Sequence, residues 1–250
     1  VLSGRGLVHI EVTAEKIQRK FNVGMDIETP KVAYRETFKK KIRVQGKHKK
    51  QSGGHGQYGD CWIVLEPLHK GSGFEFVDKI VGGVIPKNYI PAVEAGVREA
   101  STAGILAGFP CVDFRVTVDF GSYHSVDSSE MAFKMAGTLA FKKAAVDAKA
   151  TLLEPVMKIA VKVPEDSTGD IMGDLNSRRG RVLGMDTEDD KQIINALVPM
   201  AEILRYAPDL SSMTGGRGTF TMEFEQYDEV PGDMAKKVIE RVNSEKEENK

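Results

Sequence analysis

The sequence is organised around a glycine-rich stretch, Gln51-Ser52-Gly53-Gly54-His55-Gly56-Gln57-Tyr58-Gly59-Asp60. Four of these residues are glycines, which makes the backbone too permissive for a helix interior or a central strand. The stretch is therefore predicted to be an exposed loop, in which backbone nitrogens and carbonyls can approach a ligand closely.

The residues on either side of this stretch predict a hairpin. The residues before it are rich in basic side chains: Lys39, Lys40, Lys41, Arg43, Lys47, His48, Lys49 and Lys50. The run Cys61-Trp62-Ile63-Val64-Leu65 after it is apolar and predicts a buried strand. A flexible tip beside positive charge suits contact with a phosphate backbone. A solvated hairpin with a lysine-rich edge explains the pattern equally well, so both interpretations stay open at this point.

The composition predicts a soluble globular chain of one large or two ordinary domains, with 250 residues, 41% hydrophobic and 28% charged. The net charge is −1, so any nucleic-acid binding must come from local patches. Cys61 and Cys111 lie in apolar runs, which predicts buried thiols in a reducing cytosol. No apolar run reaches transmembrane length and no signal peptide opens the chain. The chain opens at Val1 without a methionine, so we expect it to be a piece of a longer protein.

The first half of the chain is predicted to contain both strands and helices. Residues 7–12 are expected to form a strand, followed by an amphipathic helix that Thr13 caps. A helix is expected over 91–104, and residues 111–120 alternate in the manner of a half-buried strand. The sequence Asp127-Ser128-Ser129-Glu130 has the capping-box pattern, so Asp127 is expected to cap a long helix.

The second half begins at a predicted domain boundary over 151–155 and continues as a βαββαβ series, the order of a ferredoxin-like unit. Its expected elements are strands at 157–163, 181–185, 192–198 and 220–225, a helix between Ser167 and Gly180, and helical turns over 202–213 broken by Pro208. Residues 235–250 are expected to form a charged, solvated helix.

Several kinds of chemistry lack their motifs in this sequence. The GxxxxGK[ST] phosphate loop is absent, which argues against a P-loop nucleotide site. The histidines and cysteines show no zinc-ligand spacing, so no metal site is expected. Ser122, His124 and Asp127 fall in one turn, whereas triad members usually come from separate elements. No catalytic residue is therefore expected in this chain.

The chain resembles the C-terminal part of bacterial elongation factor G, the ribosomal translocase, over nearly its whole length. The motifs that carry the resemblance are Leu2-Ser3-Gly4-Arg5-Gly6, Val32-Ala33-Tyr34-Arg35-Glu36-Thr37, residues 51–59, Gly82-Gly83-Val84-Ile85-Pro86-Lys87, residues 121–130, Leu153-Glu154-Pro155-Val156-Met157 and residues 173–180. Their collinear order makes coincidence an inadequate explanation.

The resemblance implies an α+β architecture of four parts. These are the end of domain III (1–28), domain IV with a ribosomal protein S5 domain 2-like fold (29–153), a ferredoxin-like domain V (154–235), and a C-terminal helix with a charged tail (236–250). It also implies two tip loops, 52–59 and 121–126, that enter the decoding centre of the small subunit beside tRNA and mRNA. Domain V would contact the large subunit near the sarcin–ricin loop and the stalk base.

The resemblance also nominates the contact residues. Those expected to touch ribosomal RNA are Ser52, Gly53, Gly54, His55, Gly56, Gln57, Tyr58, Gly59, Gly121, Ser122, Tyr123 and His124, with Lys47, Lys49 and Lys50 as the basic approach. We expect no cofactor in this chain, because GTP and Mg²⁺ would belong to the GTPase domain of the parent protein. A monomeric cytoplasmic protein without membrane contact is expected.

Three departures from the family pattern leave alternatives open. His55 replaces a usual Arg, which would make the tip charge depend on pH; Val8 replaces a usual Glu, and Asp60 with Cys61 also differs. The parent protein is therefore either the translocase or a paralogue that acts in ribosome recycling. A ribosome-protection protein that confers tetracycline resistance is a further alternative. A small-molecule kinase of S5-like fold is disfavoured, because a strand rather than a helix follows the glycine loop.

Overall fold

A computed structural model describes residues 7–25, 30–51 and 56–248 of the chain. The helices are α1 (Leu7–Phe21), α2 (Ile90–Ala103), α3 (Glu130–Asp147), α4 (Thr168–Ser177), α5 (Met200–Ile203), α6 (Tyr206–Met213) and α7 (Gly232–Glu248). The strands are β1 (Arg35–Phe38), β2 (Ile42–Lys50), β3 (Gln57–Pro67), β4 (Phe74–Asp78), β5 (Phe114–Ser122), β6 (Ala150–Pro164), β7 (Arg181–Glu188), β8 (Lys191–Pro199) and β9 (Thr219–Glu229). These elements form two units: the first unit is 34–153 with the residues from 229 onward, and the second unit is 154–228 with the residues up to 33.

The first unit is built on a sheet with the strand order β2-β3-β5-β4, in which only β4 and β5 are parallel neighbours. Alternate side chains of β3 and β5, such as Ile63 and Val116, are fully buried because they face the helical side. Helix α3 packs on β2 and β3, and α2 packs on α3. The expected helix over 91–104 and the strand over 111–120 are confirmed, although β5 begins only at Phe114.

Two glycines allow α3 to approach the sheet closely. A Cβ atom at Gly46 of β2 would overlap the carbonyl oxygen of Ala136, and one at Gly59 of β3 would overlap that of Ala132. Gly59 therefore lies inside a strand, buried under a helix, and not in an exposed loop as predicted. The sequence pattern was misleading because a glycine needed for close packing of a helix resembles a glycine needed in a loop.

The loop between α2 and β5 is organised by the carboxylate of Glu36, which is fully buried. Its two oxygens accept hydrogen bonds from the backbone N–H groups of four loop residues: Ile105 (2.6 Å), Leu106 (2.9 Å), Ala107 (3.0 Å) and Phe109 (3.1 Å). Such a set of donors offsets the cost of removing a carboxylate from water. Helix α7 is mostly exposed, as expected, but Lys246 donates a 2.7 Å hydrogen bond to the Ala107 carbonyl of the same loop.

The second unit confirms the ferredoxin-like prediction. Its strands have the order β7-β8-β6-β9, and α4 and α6 cover a core that includes Ile159, Val161 and Ile194. Residues of β6 belong to both units: residues 150–153 pair with β1 of the first unit, and 156–164 pair with β8 of the second. The predicted boundary over 151–155 thus includes the position at which the two units divide, between Leu153 and Glu154. The mixed α+β fold class expected from the sequence is confirmed.

The predictions for two segments were wrong. Residues 7–12 form the start of α1 and not a strand, so Thr13 lies inside this helix and does not cap it. A helix satisfies its own backbone hydrogen bonds, whereas a strand needs a partner, and none of the described strands pairs with this segment. The helical turns over 202–213 break at Leu204 and Arg205, before Pro208. Pro208 lies in the first turn of α6, where a missing N–H costs no intrahelical bond.

Candidate nucleic-acid interface

The hairpin of β2 and β3 ends where the sequence predicts a tip. Lys49 pairs with Tyr58 and Lys50 with Gln57, so the connecting segment spans only 51–56. Gln57, Tyr58 and Gly59 were expected in the loop and instead belong to β3. The predicted contact residues Ser52, Gly53, Gly54 and His55 lie outside the described residues.

The basic approach is smaller than the sequence suggests, because several of its charges are paired. Lys41 forms a 2.8 Å ion pair with Glu66, and Arg43 a bidentate pair with Asp119 at 2.7 and 3.0 Å. Lys39 pairs with Glu229. The hydrogen bond from Lys41 is the main reason that the pKa of Glu66 lies below its usual value. These carboxylates are distant in sequence, so the lysine-rich pattern alone could not reveal them.

Lys47, Lys49 and Lys50 remain exposed beside the tip. Among the residues that the structure describes, none of the three forms an ion pair. Lys47 lies over the Tyr58 ring, with its Nζ atom 5.6 Å from the ring centroid. The charge of these lysines is therefore free to attract an anionic partner.

The second tip loop follows β5 and is bonded to the end of the first hairpin. The Tyr58 hydroxyl and Ser122 Oγ are 2.7 Å apart, and Ser122 Oγ donates to Asp60 at 2.8 Å. Gln45 donates to the other oxygen of Asp60, also at 2.8 Å. Gly121 is buried in β5, while Tyr123 and His124 are exposed. The structure thus brings together the two loops that the sequence places about sixty residues apart.

Asp127 and Ser128 hold the two loops together. Asp127 Oδ1 accepts a 3.1 Å hydrogen bond from the Gly56 N–H, and its carbonyl accepts a 2.8 Å bond from the Tyr58 N–H. Ser128 Oγ donates to the Tyr58 carbonyl and accepts from the His124 N–H, both at 2.9 Å. We call these two residues the clasp. No signal in the sequence distinguishes the clasp from an ordinary helix start.

The expectation that Asp127 caps α3 was therefore wrong. The N-cap is Ser129, whose side chain accepts a hydrogen bond from the Ala132 N–H at 3.2 Å. Three consecutive residues, Asp127, Ser128 and Ser129, are all favoured at N-caps, so the pattern could not decide among them. Ser129 is the N-cap, because the side chains of Asp127 and Ser128 form hydrogen bonds with the neighbouring loop.

His124 is exposed at the tip, with 54% of its side chain accessible. Its Nδ1 atom lies 3.3 Å from the Val126 backbone nitrogen and 3.2 Å from that of Asp127, and accepts hydrogen bonds from both. Its ring centroid is 6.4 Å from that of Tyr58. The histidine is thus held by the backbone on one edge and open to solvent on the other.

The open face of the sheet continues the tip with rings and basic groups. The Arg43 guanidinium lies 4.5 Å from the Trp62 ring centroid, and Trp62 pairs across the sheet with the exposed Phe120. In the part of the chain that the structure describes, no cluster of His, Cys, Asp or Glu could hold a metal ion. Among the described helices, none combines the length and the hydropathy that a membrane-spanning segment requires.

The second unit contains a basic cluster whose charges, unlike those of the tip lysines, are paired with carboxylates. Arg179 donates to both oxygens of Glu154, at 2.6 and 2.9 Å, and to Glu202 at 2.9 Å. Arg178 donates to Asp174 at 2.8 Å and to Asp209 at 2.7 Å. Hydrogen bonds to these carboxylates raise the pKa of both arginines above its ordinary value.

A four-stranded sheet with a basic, two-loop tip, followed by a ferredoxin-like unit, is the architecture expected for the C-terminal arm of a translation factor. Two family models match the chain: elongation factor G, domain IV, at residues 30–149, and elongation factor G C-terminus at 151–238. The chain therefore belongs to the elongation factor G family.

A solved structure has the same fold. The chain is similar to a protein from Thermus thermophilus known from a crystal structure, with 46% sequence identity and a TM-score of 0.84. The similarity covers 96% of this chain and 36% of that one. The chain thus spans about a third of the length of this relative.

Proposed function

We propose that the chain is the ribosome-binding arm of a translational GTPase that promotes the movement of tRNA and mRNA through the ribosome. The tip loops 52–59 and 121–126 enter the decoding centre, and the second unit contacts the large subunit near the sarcin–ricin loop and the stalk base. GTP and Mg²⁺ act in a GTPase domain of the intact protein. Membership of the elongation factor G family supports this assignment.

One observation carries the proposal. The clasp joins the two tip loops, and the strand leading to them presents exposed lysines that have no ion-pair partner among the described residues. Strands β2, β3 and β5 support the described ends of these loops. An arm of this kind works by steric exclusion and electrostatic attraction, since it occupies space vacated by tRNA and makes backward movement costly. No covalent step is required of its residues.

Salt dependence of ribosome binding tests the electrostatic part of the proposal. Lys47, Lys49 and Lys50 are replaced together by glutamine in the 250-residue chain. The slope of log Kd against log salt for purified ribosomes is expected to fall by about one for each lost phosphate contact. The stability of the chain should change by less than about 0.5 kcal/mol, because the three side chains are exposed.

The matched control replaces Lys142, Lys143 and Lys149 by glutamine; all three are exposed, the first two lie in the C-terminal half of α3, and Lys149 follows the helix. This triple variant has the same net charge but an intact tip, so its salt slope should equal that of the unaltered chain. Equal slopes for the two triple variants would refute the proposed phosphate contacts at the tip.

A further inference from the structure

The clasp joins the tip loops through side chains as well as backbone. Asp127 bonds to Gly56 through its carboxylate, and Ser128 bonds to both Tyr58 and His124 through its hydroxyl. The clasp side chains are only partly exposed, whereas His124 beside them is exposed. The inward position of Asp127 and Ser128 suits residues that hold the tip in shape rather than residues that meet a partner.

The backbone around His124 also determines which ring nitrogen carries the proton. The N–H groups of Val126 and Asp127 are donors with fixed hydrogens, so Nδ1 must present its lone pair to them. In the neutral ring the hydrogen therefore lies on Nε2, the nitrogen on the other edge. Asp127 Oδ2 lies 3.4 Å from Nδ1 and could accept a hydrogen bond from it only if Nδ1 carried a proton.

We propose that Asp127 and Ser128 are positioning residues, which fix the turn around His124 so that its Nε2–H group points outward as a hydrogen-bond donor. The partner of this donor is an RNA acceptor, either a phosphate oxygen or a base or ribose oxygen. This inference rests on the proposed function, since it names the group through which the same tip would bind RNA. His124 itself makes the contact, and the clasp acts through it.

A purely structural role for the clasp predicts different behaviour. If Asp127 and Ser128 served only to start α3, their loss would resemble the loss of Ser129, the residue that caps the helix. Ser129→Ala is therefore the matched control. It removes a cap from the same segment and leaves every hydrogen bond between the two loops in place.

Nitrogen-15 spectra of the His124 ring in the 250-residue chain, at a pH where the ring is neutral, test the arrangement without ribosomes. The unaltered chain should show a protonated Nε2 and an unprotonated Nδ1. In the double variant Asp127→Ala with Ser128→Ala the ring signals should shift toward those of a free histidine side chain, in which both tautomers are populated. Ser129→Ala should leave the signals unchanged. A protonated Nδ1 in the neutral ring of the unaltered chain would overturn the inference.

Amide hydrogen exchange at Gly56 gives a second measurement. Asp127→Ala removes the acceptor of the Gly56 N–H, so its exchange should become about tenfold faster. Asp127→Asn keeps an oxygen at this position and should restore most of the protection. Unchanged exchange in Asp127→Ala would show that the clasp does not hold the first loop.

Ribosome binding separates the inference from the function on which it rests. His124→Ala and the clasp double variant should each weaken binding of the chain to purified ribosomes severalfold, and the triple variant should bind no more weakly than His124→Ala alone. Weak binding by His124→Ala with full binding by the clasp variant would overturn the inference and keep the function. Full binding by His124→Ala, with the spectra as expected, would instead refute the proposed contact at the tip and leave the positioning role standing.

Discussion

The two units differ in what they do with positive charge. In the second unit the side chains of both arginines are paired with carboxylates, Arg178 with Asp174 and Asp209, and Arg179 with Glu154 and Glu202. In the first unit the lysines of the tip have no such partner among the described residues, and the tip is held by backbone amides, a carboxylate and hydroxyl groups. A basic segment therefore indicates a binding surface only when its charges are not already paired within the fold.

The largest expected effect comes from breaking the charge network of the second unit. Arg179→Ala leaves the Glu154 carboxylate, whose side chain is only 4% exposed, without its bidentate partner. Loss of one member of a buried pair costs roughly 3 kcal/mol. Denaturant unfolding should show this loss. Arg217→Ala is the control, because Arg217 and Asp166 are both mostly exposed and should contribute little. Similar losses in the two variants would contradict the idea that burial gives the Arg179 network its strength.

A smaller loss of stability is expected from a substitution that removes no charged group. Gly59→Ala places a Cβ against the carbonyl oxygen of Ala132 and should push α3 away from the sheet, at a cost of about 2 kcal/mol. Gly173→Ala is the matched control, because Gly173 lies inside α4 and no atom would approach its Cβ within 4 Å. The control should be neutral or more stable by up to about 1 kcal/mol in the same unfolding assay. Tolerance of Gly59→Ala would contradict the claim that close packing of α3 on β3 requires a glycine at this position.

Alkaline pH should affect the first unit before the second. Burial raises the pKa of the Cys61 thiol from 9.0 to about 12, and burial also raises the pKa of Tyr206 in the second unit above its ordinary 10.0. Above pH 9 the unfolded chain loses the thiol proton while the folded chain keeps it, so stability falls as pH rises toward 12. The slope is about 1.4 kcal/mol per pH unit for each such thiol.

Unfolding curves collected at several values from about pH 8 to about pH 10.5 measure this slope. Cys61→Ala removes the thiol, so the loss of stability per pH unit should become smaller by the part that Cys61 contributes. The smaller side chain also lowers stability at every pH. An unaltered slope in Cys61→Ala would show that another group, such as the Cys111 thiol, whose pKa is also raised by burial, causes the loss.

Strong periodicity made much of the fold predictable from the sequence. The apolar residues of β5 and β6 alternate because each strand buries one face. On α2 the residues Ile90, Val93 and Val97 recur at helical spacing because they also share one buried face. The segment at 7–12 was mispredicted because its short apolar pattern fits either period. The ferredoxin-like order followed from the sequence of elements and needed no knowledge of contacts.

The site was less predictable because its properties depend on contacts between distant residues. The tip loops could be placed, but the pairing of Arg43 with Asp119 joins residues 76 positions apart. The bond between Gly56 and Asp127 spans 71 positions. Local rules assign Asp127 to a helix cap, since that is the use its neighbours in sequence suggest. Only the folded hairpin offers it another donor.

The buried carboxylate of Glu36 has a consequence for any attempt to rearrange the chain. The loop 105–109 takes its shape from an acceptor about seventy positions earlier, so that shape is encoded outside the loop. A transplant of residues 104–111 into another scaffold would lose it, whereas a split protein cut between β1 and α2 could recover it when the halves reassociate. In such a pair of fragments, the Glu36 carboxylate of the smaller fragment would supply the acceptors around which the loop 105–109 of the larger fragment folds.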